Sequence, residues 1–271
     1  MSDIVLSGGV RSNLLQLQQT SDLITTTQTR LATGKRVNSA LDNPINYFTA
    51  QGLTVRANDL NSLLDSMSTG INTIQAANNG ITSLTKLVQS AQSLVSQAQQ
   101  TTDTTVRATL ATQFQNLLGQ IDQLSGDSGI NGVNLLGGND LTITLNETGG
   151  STVTITGVDD TVAGDLSIGN ASNNWASSAD ITVASTDLTA ALVTLRSQSQ
   201  ALSSNLQTVQ VRQDFTKAMI NTLQSGADSL TLADSNEEGA NLLALQTRQQ
   251  LSTTALSLAA QADQNVLRLF Q

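Results

Sequence analysis

Apolar residues recur at intervals of three and four along most of this chain, and they do so into its last residues. In residues 239–271, GANLLALQTRQQLSTTALSLAAQADQNVLRLFQ, the positions Leu251, Ala255, Leu258, Ala262, Val266 and Leu269 mark one face of an α-helix. Leu245, Leu256, Ala259 and Phe270 widen that face. The stretch holds no proline, and its one glycine is its first residue. A stripe this wide requires a partner, because helices in water owe most of their stability to packing. Chain ends usually fray, so this end is expected to be covered.

A matching stripe opens the chain. Val10, Leu14, Leu17, Ser21, Ile24, Gln28 and Leu31 follow steps of four and three, a heptad seam with two polar interruptions. Complementary seams at both ends predict that the termini pair and that the chain runs out and back as a hairpin. Between them the rhythm continues. Gly34 breaks the first helix; Asn43 and Pro44 then supply a cap and a first helical residue. From Pro44 the positions Leu60, Leu63, Met67, Ile71, Ile74, Ala77, Ile81, Leu84, Val88, Ala91, Val95 and Ala98 predict a rod of roughly 80 Å. Gly52, Gly70 and Gly80 inside it are either close approaches or weak points. A shorter helix is expected from Asp103, with Val106, Leu110, Phe114, Leu117, Ile121 and Leu124 on one face, ending at Ser125-Gly126.

The pattern then changes period. LTITL at 141–145 and TVTIT at 152–156 alternate as two strands joined through Gly149-Gly150, and ITV at 181–183 reads as a third. Thr186 or Asp187 would cap a second rod with Leu188, Leu192, Leu195, Leu202, Leu206, Val209, Met219, Leu223 and Leu230 on its seam. A break is expected near 234–238. The predicted fold is mainly α: a long antiparallel coiled-coil or helical-bundle hairpin with paired terminal helices and a small β-rich insertion at the tip. Its divisions are 1–43 with 231–271 as the terminal pair, 44–125 with 185–230 as the rod bundle, and 126–184 as the insertion.

Composition narrows what such a hairpin does. Only 2% of the residues are aromatic and 12% charged, and Ser, Thr, Asn and Gln make up roughly two-fifths of the chain. This suits helices with thin apolar stripes and uncharged polar backs. A net charge of −9 argues against nucleic acid and anionic membranes. No apolar run is long enough for a transmembrane span, and MSDIVLSGGVRS lacks the build of a secretory signal peptide. With neither cysteine nor histidine, thiol catalysis, cysteine metal sites and the usual general base are gone. No cofactor or metal is expected.

The remaining chemical motifs are weak. TGK at 33–35 hints at a phosphate loop, but Thr29 stands where the first glycine belongs and Arg36 replaces the Ser or Thr. Glu237-Glu238 reads as first-turn acids favoured by a helix dipole. GGNDLTI at 137–143 has one calcium-roll turn's outline without its second glycine or a repeat. Arg30, Arg56, Arg248 and Arg268 lie in charge-poor helices. They are solvated charges or members of ion pairs with neighbouring copies.

RLATGKRVNSALDNP at 30–44, NGVNLL at 131–136 and NLLALQTRQQLSTTALSLAAQADQNVLRLF at 241–270 resemble bacterial flagellins, in a short form similar to those of alphaproteobacteria. The resemblance covers the first ~125 and last ~85 residues. It implies a homopolymer: terminal helices forming an inner tube, rods an outer tube, the insertion the exposed surface of an extracellular flagellar filament. It also implies an export chaperone, the flagellar type III export machinery, and cap and hook-associated proteins as partners. The packing residues would be Val10, Leu14, Leu17, Ile24, Leu31, Leu251, Ala255, Leu258, Ala262, Val266, Leu269 and Phe270. Flagellins sensed by innate-immune receptors carry an Arg-containing pattern on the first rod; SLTKLVQSAQ at 83–92 has no Arg, which argues against that recognition. Alternative readings are a hook–filament junction protein and a secreted coiled-coil adhesin; an enzyme has the least support.

Overall fold

The computed structural model describes residues 8–269, without the side chains of residues 263 and 266–269. Among the described residues there are five α-helices: α1 (Gly8–Thr33), α2 (Pro44–Gln100), α3 (Thr104–Asp127), α4 (Ser178–Thr231) and α5 (Ser235–Leu269). Between α3 and α4 lie two strands, β1 (Leu141–Thr144) and β2 (Thr152–Ile155), and a short 3-10 turn, Ser172–Trp175. The chain is mainly α, with a small β insertion. It divides into two compact units, one reaching to Val55 and resuming at Thr222, the other Arg56–Asn221.

In Arg56–Asn221 one apolar core joins its stretches of α2 and α4 to α3. Every predicted rod position from Leu60 to Ala98 is buried or half-buried. Asp103 caps α3 by accepting from the backbone N–H of Thr105 (2.8 Å) and Val106 (3.4 Å). Val106, expected on the apolar face, is exposed, and the buried residue is its neighbour Arg107. Its Nε donates to the carbonyls of Ala98 (3.2 Å) and Thr101 (2.8 Å). Its other nitrogens reach the Ala176 carbonyl (3.4 Å) and the Ser178 hydroxyl (3.3 Å). No basic residue stands in the last turn of α2, so Arg107 supplies from α3 the positive charge that the carboxyl end of a helix favours. Trp175, fully buried, packs on Phe114 with ring centroids 4.9 Å apart.

NGVNLL has a structural explanation. Asn131 and Gly132 both take positive φ, 50° and 82°, and Ile130 and Val133 exchange backbone hydrogen bonds across them, as a tight turn requires. The Asn134 amide then donates to the carbonyls of Ser125 (2.8 Å) and Gly126 (3.0 Å), closing the end of α3. Leu135 and Leu136 follow into the core.

Two expectations about the insertion change. It lies along α2 and not beyond its end: a side chain at Gly70 would meet Ile143, one at Gly80 would meet Leu136 and Ser128, and Glu147 pairs with Arg56. The two inner glycines are therefore close approaches, whereas Gly52 has open space around it. ITV at 181–183 is no strand. Ile181, Ala184, Leu188, Ala191 and Leu195 are all buried at spacings of three and four, so the helical period outweighs the β-branched run. α4 thus starts at Ser178, and Thr186 and Asp187 lie inside it. Among the described residues the two strands β1 and β2 pair antiparallel, with Leu141 opposite Ile155.

In the other unit, Gly34 takes φ +67° and ends α1. Backbone N–H groups of Arg36 (2.7 Å) and Val37 (3.2 Å) donate to the Thr231 carbonyl, and that of Ala233 to the Gly34 carbonyl (3.0 Å). The Asp42 carboxylate gathers the N–H groups of Ser39 and Asn38, both at 2.9 Å, and these bonds hold its pKa below the ordinary value. Asn43 caps α2 by accepting from the Asn46 N–H at 3.0 Å. The conspicuous RLATGKRVNSALDNP stretch is thus a connector in which Gly, Asp, Asn and Pro each meet a backbone requirement.

Candidate subunit-packing surface

α1 packs against α5, and the two run antiparallel. Arg30, in the last turn of α1, reaches Glu238, in the first turn of α5, at 3.0 Å. Each charge suits its helix end. Glu238 is buried, and Asp234 caps α5 by accepting from the N–H of Asn236 at 2.8 Å.

Besides Arg30, the buried and half-buried positions on α1 are Val10, Asn13, Leu17, Thr20, Ile24, Thr27 and Leu31. This is a heptad seam with Val10, Leu17, Ile24 and Leu31 in one register position and small polar residues in the other. It keeps four of the predicted members. Asn13, Thr20 and Thr27 replace Leu14, Ser21 and Gln28. Leu14 is 38% exposed, and the buried Thr20 hydroxyl donates to the Gln16 carbonyl at 2.8 Å, which removes the cost of burying it.

On α5 the half-buried series is Leu242, Leu245, Gln249, Ser252, Leu256 and Ala259, continuing from buried Glu238. Leu245, Leu256 and Ala259, read as wings of the stripe, are the inward members. The predicted centre of the stripe faces out: Leu251 is 67% and Leu258 62% exposed, and Ala255 and Ala262 are exposed as well. The side chains of Val266, Leu269 and Arg268, and all of Phe270, lie outside the described residues. α5 therefore carries two apolar faces, one on α1 and one without a partner among the described residues. Leu15, Leu23, Leu41, Ile45 and Phe48 are further exposed apolar residues of this unit.

Of the four arginines, Arg30 and Arg56 pair within the chain, with Glu238 and Glu147, and Arg248 is exposed. Gly34-Lys35 follows the carboxyl end of α1, where carbonyls rather than N–H groups are free, the reverse of a phosphate cradle. Gly137-Gly138 turns the chain into β1, and the neighbouring Asp140 accepts from the Gly157 N–H at 2.9 Å. Among the described residues no group of three or more acidic side chains is placed to hold a metal ion, and no helix is long and apolar enough to cross a membrane.

The described residues thus define a protein of long paired helices with an apolar outer stripe on its terminal pair. Residues 10–140 match the family described as bacterial flagellin N-terminal helical region. The chain is 29% identical to Flagellin FljK of Caulobacter vibrioides over 275 residues, covering 100% of this chain and 99% of that protein. Flagellin FljM of the same organism is 28% identical over the same shares. Flagellin A of Rhizobium meliloti is 40% identical over 82 residues, 30% of this chain but only 21% of its own length. The chain is similar to bacterial flagellins of the alphaproteobacterial kind along its whole length.

Proposed function

We propose that this chain is the structural subunit of a bacterial flagellar filament, polymerising through its terminal helices outside the cell to serve swimming. The observation that carries this is the second apolar face of α5: Leu251, Ala255 and Leu258 point away from α1, which already occupies the opposite face. Contiguous exposed apolar surface marks an interaction site, and here the covering surface is the same helix pair of neighbouring copies. The terminal pair (1–43 with 231–271) forms the inner tube, the rods (44–125 with 185–230) the outer tube, and 126–184 the surface. Export through the flagellar type III machinery with a chaperone, and contacts with cap and hook-associated proteins, belong to the same reading. The role is structural and not enzymatic.

The likeness to flagellins and the outward stripe together support it. Seeded with filament fragments, the purified chain forms long filaments visible by electron microscopy, while a chain lacking 239–271 stays monomeric. Normal polymerisation of the truncated chain would overturn the proposal.

A further inference from the structure

Arg56–Asn221 carries a basic groove that no ion pair neutralises among the described residues. It lies between α2 and α4, with a volume of about 420 Å³; Ile81, Leu192 and Leu195 line its floor and Lys86 and Arg196 its rim. Both cations are exposed and have no ion-pair partner among the described residues. Two like charges on one groove repel, in a chain with 21 acidic and 12 basic residues.

The other flank of α4 is acidic. The loop 157–169 exposes Asp159 and Asp165, backed by Asp122 of α3, by Asp187 of α4 and by buried Asp160. Asp187 accepts from the Gly169 N–H at 3.1 Å and Asp122 from the Val162 N–H at 2.7 Å. No Lys or Arg pairs with these five among the described residues. Gln198 faces this loop through Asp160, and two residues' separation places Arg196 about 200° round the helix from it. Basic groove and acidic loop therefore occupy opposite flanks of one helix.

We infer that the Lys86–Arg196 groove of one copy receives the Asp159–Asp165 loop of a second copy. This rests on the filament reading and adds to it a lateral contact through the rod unit. Complementary patches on opposite flanks make a heterologous contact, which propagates into rings or helices and does not close a dimer.

Charge reversal of the full chain tests it by the critical concentration for seeded polymerisation. Lys86→Glu with Arg196→Glu raises that concentration about tenfold or more, since like charges then face each other. Asp159→Lys with Asp165→Lys does the same, and the chain carrying all four reversals recovers toward the parent. A groove-reversed chain that polymerises like the parent overturns the inference, as does a four-fold variant no better than the groove-reversed one while circular dichroism shows both folded. Should the loop reversals unfold, salt decides. Added salt raises the parent's critical concentration by screening the contact, and Lys86→Gln with Arg196→Gln flattens that slope; equal slopes overturn the inference. A parent that forms no polymer at all overturns the filament reading and this inference with it.

Discussion

Asp160 is fully buried, and neither of its carboxylate oxygens has a hydrogen-bond partner among the described residues. Burial pushes its pKa up to about 6; the nearby polar side chain of Gln198 works against this, and the charges of Asp165 and Asp159 add to it. The unfolded chain's aspartate titrates near the usual 3.8. Between those values the folded chain binds the extra proton, so stability falls as pH rises from about 4 to about 6 and stays low above that. Asp160→Asn removes the buried charge and leaves an amide able to donate to the Gln198 carbonyl oxygen. Its expected effect is a gain on the order of 2 kcal/mol at pH 7 and a flatter profile between pH 4 and 6, read from urea unfolding. A variant less stable than the parent at pH 7 would contradict this. Arg107 is the opposite case, a buried charge with a hydrogen bond from each of its three nitrogens. Arg107→Ala leaves the carbonyls at the end of α2 unpaired and is expected to cost about 3 kcal/mol by the same measurement. No sequence pattern marked either residue. An aspartate in a turn-rich loop and an arginine beside a helix cap read as ordinary surface residues until the fold closes over them.

Among the elements, α2 offers an internal comparison. Gly52→Ala meets open space and should gain the propensity difference of about 1 kcal/mol. Gly80→Ala drives a Cβ against Ser128 and Leu136 and should lose stability despite the same propensity gain. Thermal melts of the two variants should therefore move in opposite directions. The α2 stripe was legible because one apolar face at one period admits one phase. The seam of α1 was half legible: Thr20 and Ser21, or Thr27 and Gln28, are polar alternatives between which periodicity cannot choose. The start of α4 was lost because Ile181 and Val183 favour strand locally, and only packing reveals that Ile181 continues the helical stripe. α5 was legible as a helix with a wide stripe, but not in how that stripe is shared out. Periodicity alone leaves open whether α1 or a neighbouring copy covers its more apolar face, Leu251–Ala255–Leu258; in the structure α1 takes the face that includes Gln249 and Ser252. A sequence shows that a face needs burial and not whose atoms bury it.

At the scale of the whole molecule that difference separates folding from assembly. Inward substitutions such as Leu245→Asp or Leu256→Asp should unpair α1 from α5 and lower helicity, with polymerisation lost as a consequence. Outward ones should leave the lone chain as it is. The most direct measurement is seeded polymerisation, by light scattering and electron microscopy, of the chain carrying Leu251→Asp and Leu258→Asp, beside its circular dichroism as a monomer. The predicted result is parental helicity and melting with no filaments. Filaments at the parent's critical concentration, or a monomer that loses its terminal helices, would contradict the assignment of that face to a neighbouring copy.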